Sequence, residues 1–318
     1  MAQPTVRDVR PVDPVLTSLS IGFRNESFIW DQLAPVVETP EQSGTYFIWD
    51  RDFWFRAFGD AGGAKRAAEG PYKRLGYSPT TATFKALERG FEKLTGDVTR
   101  NASQTPESLP QVDVQFLTNQ MQMEYEAATA AALFITGIWG TSSTLTGGNQ
   151  WSDYANSNPL ADSDLAKRVV RRNTGATPNK LIVGAETFDD LKNHPLLLDK
   201  YKHTQTGILT VDLVAAALEI DNLIVGTASE NTAAEGASFS GSDLWTDNAL
   251  FLVTTETPGL MVPNGAYTFV WNERGNVPWA VETYREEQTR GDVTRVFTHF
   301  DQKVTSAQHG YIYLDTAA

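Results

Sequence analysis

Any chemistry in this chain has to be carried by particular residue types at particular spacings, and the candidates are few. The four histidines, His194, His203, His299 and His309, are scattered. None carries a second histidine at helical spacing, so the ligand pattern of a zinc site is missing. There is no cysteine, which excludes disulfides, thiolate metal sites and cysteine nucleophiles. His299 and Asp301 are two residues apart and share one face if the segment is a strand. They read first as a surface pair and second as a metal or acid–base pair. The run from Gly140 to Gly148 lacks the Gly-Lys-Ser/Thr ending that holds phosphates. Gly59, Gly62 and Gly63 have the wrong spacing for a dinucleotide turn. Ser238-Phe239-Ser240-Gly241 falls one glycine short of a serine-hydrolase elbow. The sequence therefore predicts no catalytic residue, no metal ligand and no cofactor, and the chain reads as a non-enzyme.

Charge narrows the partners. The 318 residues carry a formal net charge of -13, which argues against nucleic-acid binding, since that affinity comes from cations neutralising phosphates. Residues 203–273 contain no Lys or Arg, whereas residues 51–100 hold ten cations against six acids. This asymmetry reads either as two solvated faces or as a charged projection that meets another subunit. Trp245, Phe251 and Trp271 lie in or beside the cation-free stretch, so they read as core and not as a base-stacking platform. No apolar run is long enough to span a membrane, and residues 1–16 lack a signal-peptide core. The expectation is a soluble chain made inside a cell.

The elements that must position these residues follow from periodicity and punctuation. Residues 1–43 are rich in proline yet carry Phe23, Phe28 and Trp30, so this extended segment needs a surface to lie on, its own domain or a neighbour's. Aromatic residues from Tyr46 to Phe58, a small-residue basic tip and a return run from Thr80 to Leu87 predict a long two-stranded ribbon. An isolated hairpin is marginal in water, which suggests packing on a partner. Val114, Leu117, Met121, Tyr125, Ala128 and Ala132 are spaced 3, 4, 4, 3 and 4, one face of a helix over 113–134. Gln115, Asn119, Gln122, Glu126 and Thr129 are expected on its other face. Thr141–Pro159 reads as a loop. A helix capped by Asp162 or Ser163 is stopped by Gly175. Strand, helix, helix and strand then alternate through Val225, and the last part is strand-rich, ending in Tyr311–Leu314.

Two segments carry a resemblance. One is Pro178-Asn179-Lys180-Leu181-Ile182-Val183-Gly184 with Phe188, Leu191 and His194-Pro195, followed by Leu213, Ala215, Leu218, Ile220 and Leu223-Ile224-Val225-Gly226. The other is Leu19-Ser20-Ile21-Gly22-Phe23-Arg24-Asn25-Glu26-Ser27-Phe28-Ile29 with Leu33-Ala34-Pro35-Val36. With the order of parts, they resemble the major capsid proteins of tailed bacteriophages with the Hong Kong 97-like fold. The resemblance implies an α+β subunit with an N-terminal arm (1–43) and an E-loop (44–93). It further implies a peripheral domain (94–160 and 266–318) with a spine helix (113–134), and an axial domain (161–265). It implies self-assembly into hexamers and pentamers of an icosahedral head in the host cytoplasm, enclosing double-stranded DNA without sequence specificity. A scaffolding protein, a portal and a decoration protein are implied partners, and no membrane. The arm starts almost at Met1, which implies scaffolding by a separate protein. Some members of the family cross-link through an E-loop lysine, but no cross-linking residue is carried over here. Subunit-interface candidates are Lys65, Arg66, Lys73, Arg74, Glu124, Glu126, Phe23, Phe28 and Trp30. Two other readings stay open: an encapsulin-like cellular compartment shell, and a soluble α/β enzyme or ligand-binding protein using His299 and Asp301.

Overall fold

The computed structural model describes residues 16–17, 28–48, 69–72, 74–76, 80–103, 108–201, 209–234, 236–255, 257, 259, 262, 264–273 and 278–317. A short helix α1 (Trp30–Leu33) and strand β1 (Val36–Thr39) lead into β2 (Ser43–Ile48), which pairs antiparallel with β3 (Thr80–Lys85). Strand β4 (Leu87–Gly96) and helix α2 (Asp97–Ala102) precede the long helix α3 (Leu109–Leu133). Then come β5 (Ser142–Thr144), α4 (Pro159–Thr174), β6 (Lys180–Gly184), α5 (Ala185–Asn193), α6 (Pro195–Tyr201), α7 (Val211–Ala217) and β7 (Asn222–Gly226). The small strands β8 (Ser229–Asn231) and β9 (Gly241–Asp243) pair with each other before β10 (Ala249–Leu252). Strands β11 (Ala266–Trp271), β12 (Ala280–Glu286), β13 (Gly291–Val304) and β14 (Gly310–Leu314) complete the chain.

Two five-stranded sheets organise the body. In the first, β1 runs parallel to β11, β11 and β12 pair with β13, and β4 lies along the other edge of β13. The second has the order β5-β14-β10-β6-β7. Its inner strands are nearly continuous apolar runs because both faces are covered. Leu181, Val183, Phe251, Tyr311 and Tyr313 face helices α4–α7, whereas Ile182, Ile224, Leu250 and Ile312 face the core that surrounds α3. That same core takes Val270, Val281, Val296 and Phe300 from the first sheet, so α3 is the beam on which both sheets rest.

Local chemistry sets the element ends. The side chain of Asn158 accepts the N–H of Ala161 at the start of α4, one turn before the expected cap at Asp162 or Ser163. Gly175 ends that helix in the left-handed region, with φ 74°. His194 separates α5 from α6, where Pro195 takes a first-turn position that needs no N–H. Its Nδ1 accepts the Leu196 N–H, so its Nε2–H donates to the Ser157 hydroxyl. The paired glycines Gly184 and Gly226 leave room for the segment that crosses them. A Cβ at Gly226 would lie 2.2 Å from Trp245, and one at Gly184 2.2 Å from the Thr246 carbonyl.

Four expectations change. The resemblance implies an E-loop running to Lys93, but Leu87–Gly96 hydrogen-bonds along β13, so the ribbon ends near Lys85. Tyr311–Leu314 was grouped with the preceding strands, but it pairs with β10 and β5 in the second sheet. The expected loop 141–159 contributes β5 to that sheet. Finally, Gln122, Glu126 and Thr129 were assigned to the solvent face of the long helix, yet all three are buried. A helix wedged between two sheets buries a wider arc than its apolar stripe, and its buried polar groups are hydrogen-bonded. Thr129 Oγ1, for example, donates to the Tyr125 carbonyl and accepts Gln302 Nε2. Met121 is fully buried and Gln115 is exposed. Met121→Asp should therefore lower the subunit's unfolding free energy by roughly 3–5 kcal/mol, and Gln115→Asp by less than about 0.5 kcal/mol. Urea titration of both variants checks this; equal effects would show that the buried arc is misassigned.

Candidate assembly surfaces

The long helix has no Lys or Arg in its 25 residues, yet it carries Asp113, Glu124 and Glu126. Their partners must come from elsewhere in the chain. Asp113 is buried and takes an ion pair from Lys93 and a hydrogen bond from Thr95, both on β4. Half-exposed Glu124 pairs with Arg89, also on β4, and the Arg89 guanidinium lies 4.5 Å from the Phe300 ring centroid.

Glu126 is different. It is fully buried and met by three N–H donors. The backbone N–H groups of Ile29 (3.0 Å) and Trp30 (2.9 Å) donate to Oε2, and Trp245 Nε1 donates to Oε1 at 2.6 Å. One carboxyl group thereby joins the root of the N-terminal arm, the long helix and the segment crossing the second sheet. The aromatic rings beside it are ordered to match. Tyr125 stacks between Trp30 (4.4 Å) and Phe300 (4.0 Å), with Trp279 tilted against it at 6.0 Å. Burial drives the Glu126 carboxyl up to about 7, against the three donors that favour its charged form.

The sequence-derived interface candidates are therefore distributed unevenly. Glu126 is an internal fastening, because its oxygens are occupied within the subunit and it has no exposed surface. Phe28 and Trp30 are buried against the chain's own core, at 4% and 7% exposure, so the arm root lies on its own subunit. Glu124 reaches the surface but already holds Arg89. Arg74 is exposed. Phe23, Lys65, Arg66 and Lys73 lie outside the described residues. What the sequence missed is the pairing of Glu126 with Trp245; the available signal was a cation-free helix that had to recruit distant donors.

The ribbon strands β2 and β3 pair only with each other among the described residues. Their root is pinned to the first sheet where Phe84 stacks on Phe269 at 4.5 Å, with Tyr46 at 5.3 Å from the same ring. On the flank beyond, Phe91 of β4 and Val112 and Phe116 of the long helix stay exposed. His299 is buried edge-on to Trp271 and Phe297, which corrects the surface-pair reading, and Asp301 accepts the Lys85 backbone N–H. No group of three or more metal-binding side chains is present among the described residues. The geometry on this side of the subunit offers a projecting ribbon and uncovered apolar surface.

The model of the family described as Phage major capsid protein E matches residues 137–268, from β5 into β11. The chain is 29% identical over 227 residues to the major capsid protein of Burkholderia phage BcepMu, covering 69% of this chain and 70% of that one. A phage-related protein from Bordetella bronchiseptica RB50 superposes with a TM-score of 0.76 at 21% identity, over 96% of this chain and 98% of that one. The capsid of cyanophage P-SCSP1u superposes with a TM-score of 0.57 at 11% identity, over 92% of this chain and 89% of that one.

The fastening can be tested by titration. A carboxyl whose folded value is raised contributes stability that is complete below its ordinary value of 4.5 and is lost as pH rises through about 7. His309 acts oppositely. Burial lowers it to about 4, so its contribution is complete above 6.5 and is lost as pH falls toward 4. Glu126→Gln keeps the shape but cannot ionise, and its amide N–H₂ turns a donor toward donors. It should cost about 1–3 kcal/mol and remove the fall in stability between pH 4.5 and 7 that belongs to Glu126. Its low-pH slope, to which His309 and the likewise lowered His194 contribute, should remain. Denaturation curves of parent and variant across this range decide; identical slopes would rule out Glu126 as the titrating group.

Proposed function

We propose that this chain, a phage major capsid protein with the Hong Kong 97-like α+β fold, self-assembles into the icosahedral head by clasping its neighbours through the N-terminal arm, the ribbon and the first sheet. The first sheet with the long helix acts as the peripheral domain, and the second sheet with α4–α7 as the axial domain. The head encloses double-stranded DNA without reading its sequence. A net charge of -13 suits that role, because a lining that gripped phosphates would oppose packaging and release. Assembly takes place in the host cytoplasm, with a scaffolding protein, a portal and a decoration protein as partners in head building.

The ribbon carries this reading. Two strands that pair only with each other among the described residues, anchored by an aromatic root, do not form a stable free element. Phe47 is 44% exposed on the ribbon, and Phe91, Val112 and Phe116 are uncovered nearby. Together they supply apolar area whose burial by a neighbour would drive association. The internal fastening at Glu126 complements this by giving each subunit one rigid shape to repeat.

Electron microscopy of the expressed protein with its genomic neighbours should show closed shells of hexamers and pentamers. Deleting residues 59–77 should leave a folded subunit, with an unchanged far-ultraviolet spectrum, that forms no shells. A parent protein that yields only a small discrete oligomer would overturn the proposal, and normal shells from the deletion would remove the ribbon from it.

A further inference from the structure

The solvent face of α4 carries positive charge that the subunit leaves unanswered. Arg168, Arg171 and Arg172 are exposed, and among the described residues none of them joins an ion pair. Asp164 on the same helix is held by Lys167 at 2.9 Å. Leu165, 41% exposed, shares a stripe with Arg168 and Arg172, and Arg171 flanks it. The opposite charge lies on the hairpin β8–β9, within residues 203–273, which contain no Lys or Arg. Glu230 and Asp243 are exposed there and have no cationic partner among the described residues. Phe239 stands at the turn, 77% exposed. The turn is held in one shape, because the Asn231 side chain accepts the N–H groups of Ala233 and Ser240, at 3.1 and 3.0 Å.

The two patches lie toward opposite ends of the second sheet. Strands β6 and β7 run parallel, with Lys180 beside Asn222 and Gly184 beside Gly226. The hairpin follows β7 through Thr227 and Ala228, at the Gly226 end. Helix α4 starts at that same end: the Tyr313 hydroxyl donates to the Asp162 carbonyl, and Tyr313 is registered through Ala249 with Val183. The helix then runs the other way and leads through Gly175 into β6 at Lys180, so the arginines of its second half lie toward the far end. The subunit thus holds the two charges apart, and a second copy can bring them together. We infer that the β8–β9 hairpin of one copy docks on the α4 face of the next, Phe239 meeting Leu165, and Glu230 and Asp243 meeting the three arginines. Complementary patches at two ends of one domain make a head-to-tail contact, which repeats and closes into a ring when the rotation fits. A phosphate backbone would meet the arginines but leave Leu165 and Phe239 uncovered. This deepens the shell reading and rests on it.

The chain has no native cysteine, so a variant carrying both Leu165→Cys and Phe239→Cys tests the contact. It is expressed with its genomic neighbours, assembled, oxidised and run on a non-reducing gel. A head-to-tail contact should give a ladder of covalent multimers beyond the dimer, and neither single variant should give one. Particles without cross-links, or a ladder that stops at the dimer, would overturn the docking and leave the shell reading standing. Absence of particles from the parent chain would overturn both. Should the cysteines block assembly, a charge swap decides. Arg168→Glu, Arg171→Glu and Arg172→Glu together should lower particle yield at least about tenfold, and adding Glu230→Lys with Asp243→Lys should restore it to within about threefold of the parent. Failure of the swap to restore particles, with the subunits still folded by circular dichroism, would also overturn the docking. So would normal shells that lack DNA from the arginine variant, which would make nucleic acid the occupant of the α4 face.

Discussion

A carboxyl group buried without a cation can be tolerated only if donors are brought to it, and Glu126 imposes that constraint on three distant parts of the chain. Its donors come from residues 29, 30 and 245, about a hundred residues away on either side. To deliver them, the arm must turn back onto the long helix at Trp30, and Trp245 must lie across the second sheet. Trp245 can do so only because Gly226 presents no Cβ there. Leaving a buried hydrogen-bonding group unmet costs about 1–3 kcal/mol, whereas an exposed ion pair such as Arg89–Glu124 contributes about 0.2–1 kcal/mol. The shape of the subunit is therefore set by the buried node, and the surface pairs tune it.

Much of the architecture was legible because burial leaves a periodic trace. The spacing of Val114, Leu117, Met121 and Tyr125 located the long helix, and the apolar runs at 181–183 and 223–225 located the paired strands of the second sheet. The aromatic load near Trp30 signalled that this part of the chain needs a surface, which for Phe28, Ile29 and Trp30 is the subunit's own core. Periodicity reports residue type, however, and not the number of neighbours a helix has. Gln122, Glu126 and Thr129 looked solvated because they are polar, yet that face of α3 is covered as well. Strand partnership left even less trace. The pairing of β4 with β13 joins residues some two hundred positions apart, and nothing local at Leu87–Gly96 distinguishes a ribbon strand from a sheet edge. The role of Glu126 was hidden for the same reason: its donors are backbone groups and a tryptophan far along the chain.

On the proposed function, the division between a fixed interior and uncovered surfaces has a physical logic. A protein that must occupy many equivalent places needs one reproducible body, which the Glu126 node and the stack of Trp30, Tyr125 and Phe300 provide. Its contacts with neighbours must instead be weak enough to form, break and correct during growth of a closed shell. A strongly favourable contact would trap misplaced subunits, whereas contacts of about 1 kcal/mol become decisive only when many are made together. Exposed Phe91, Val112 and Phe116 supply non-directional attraction.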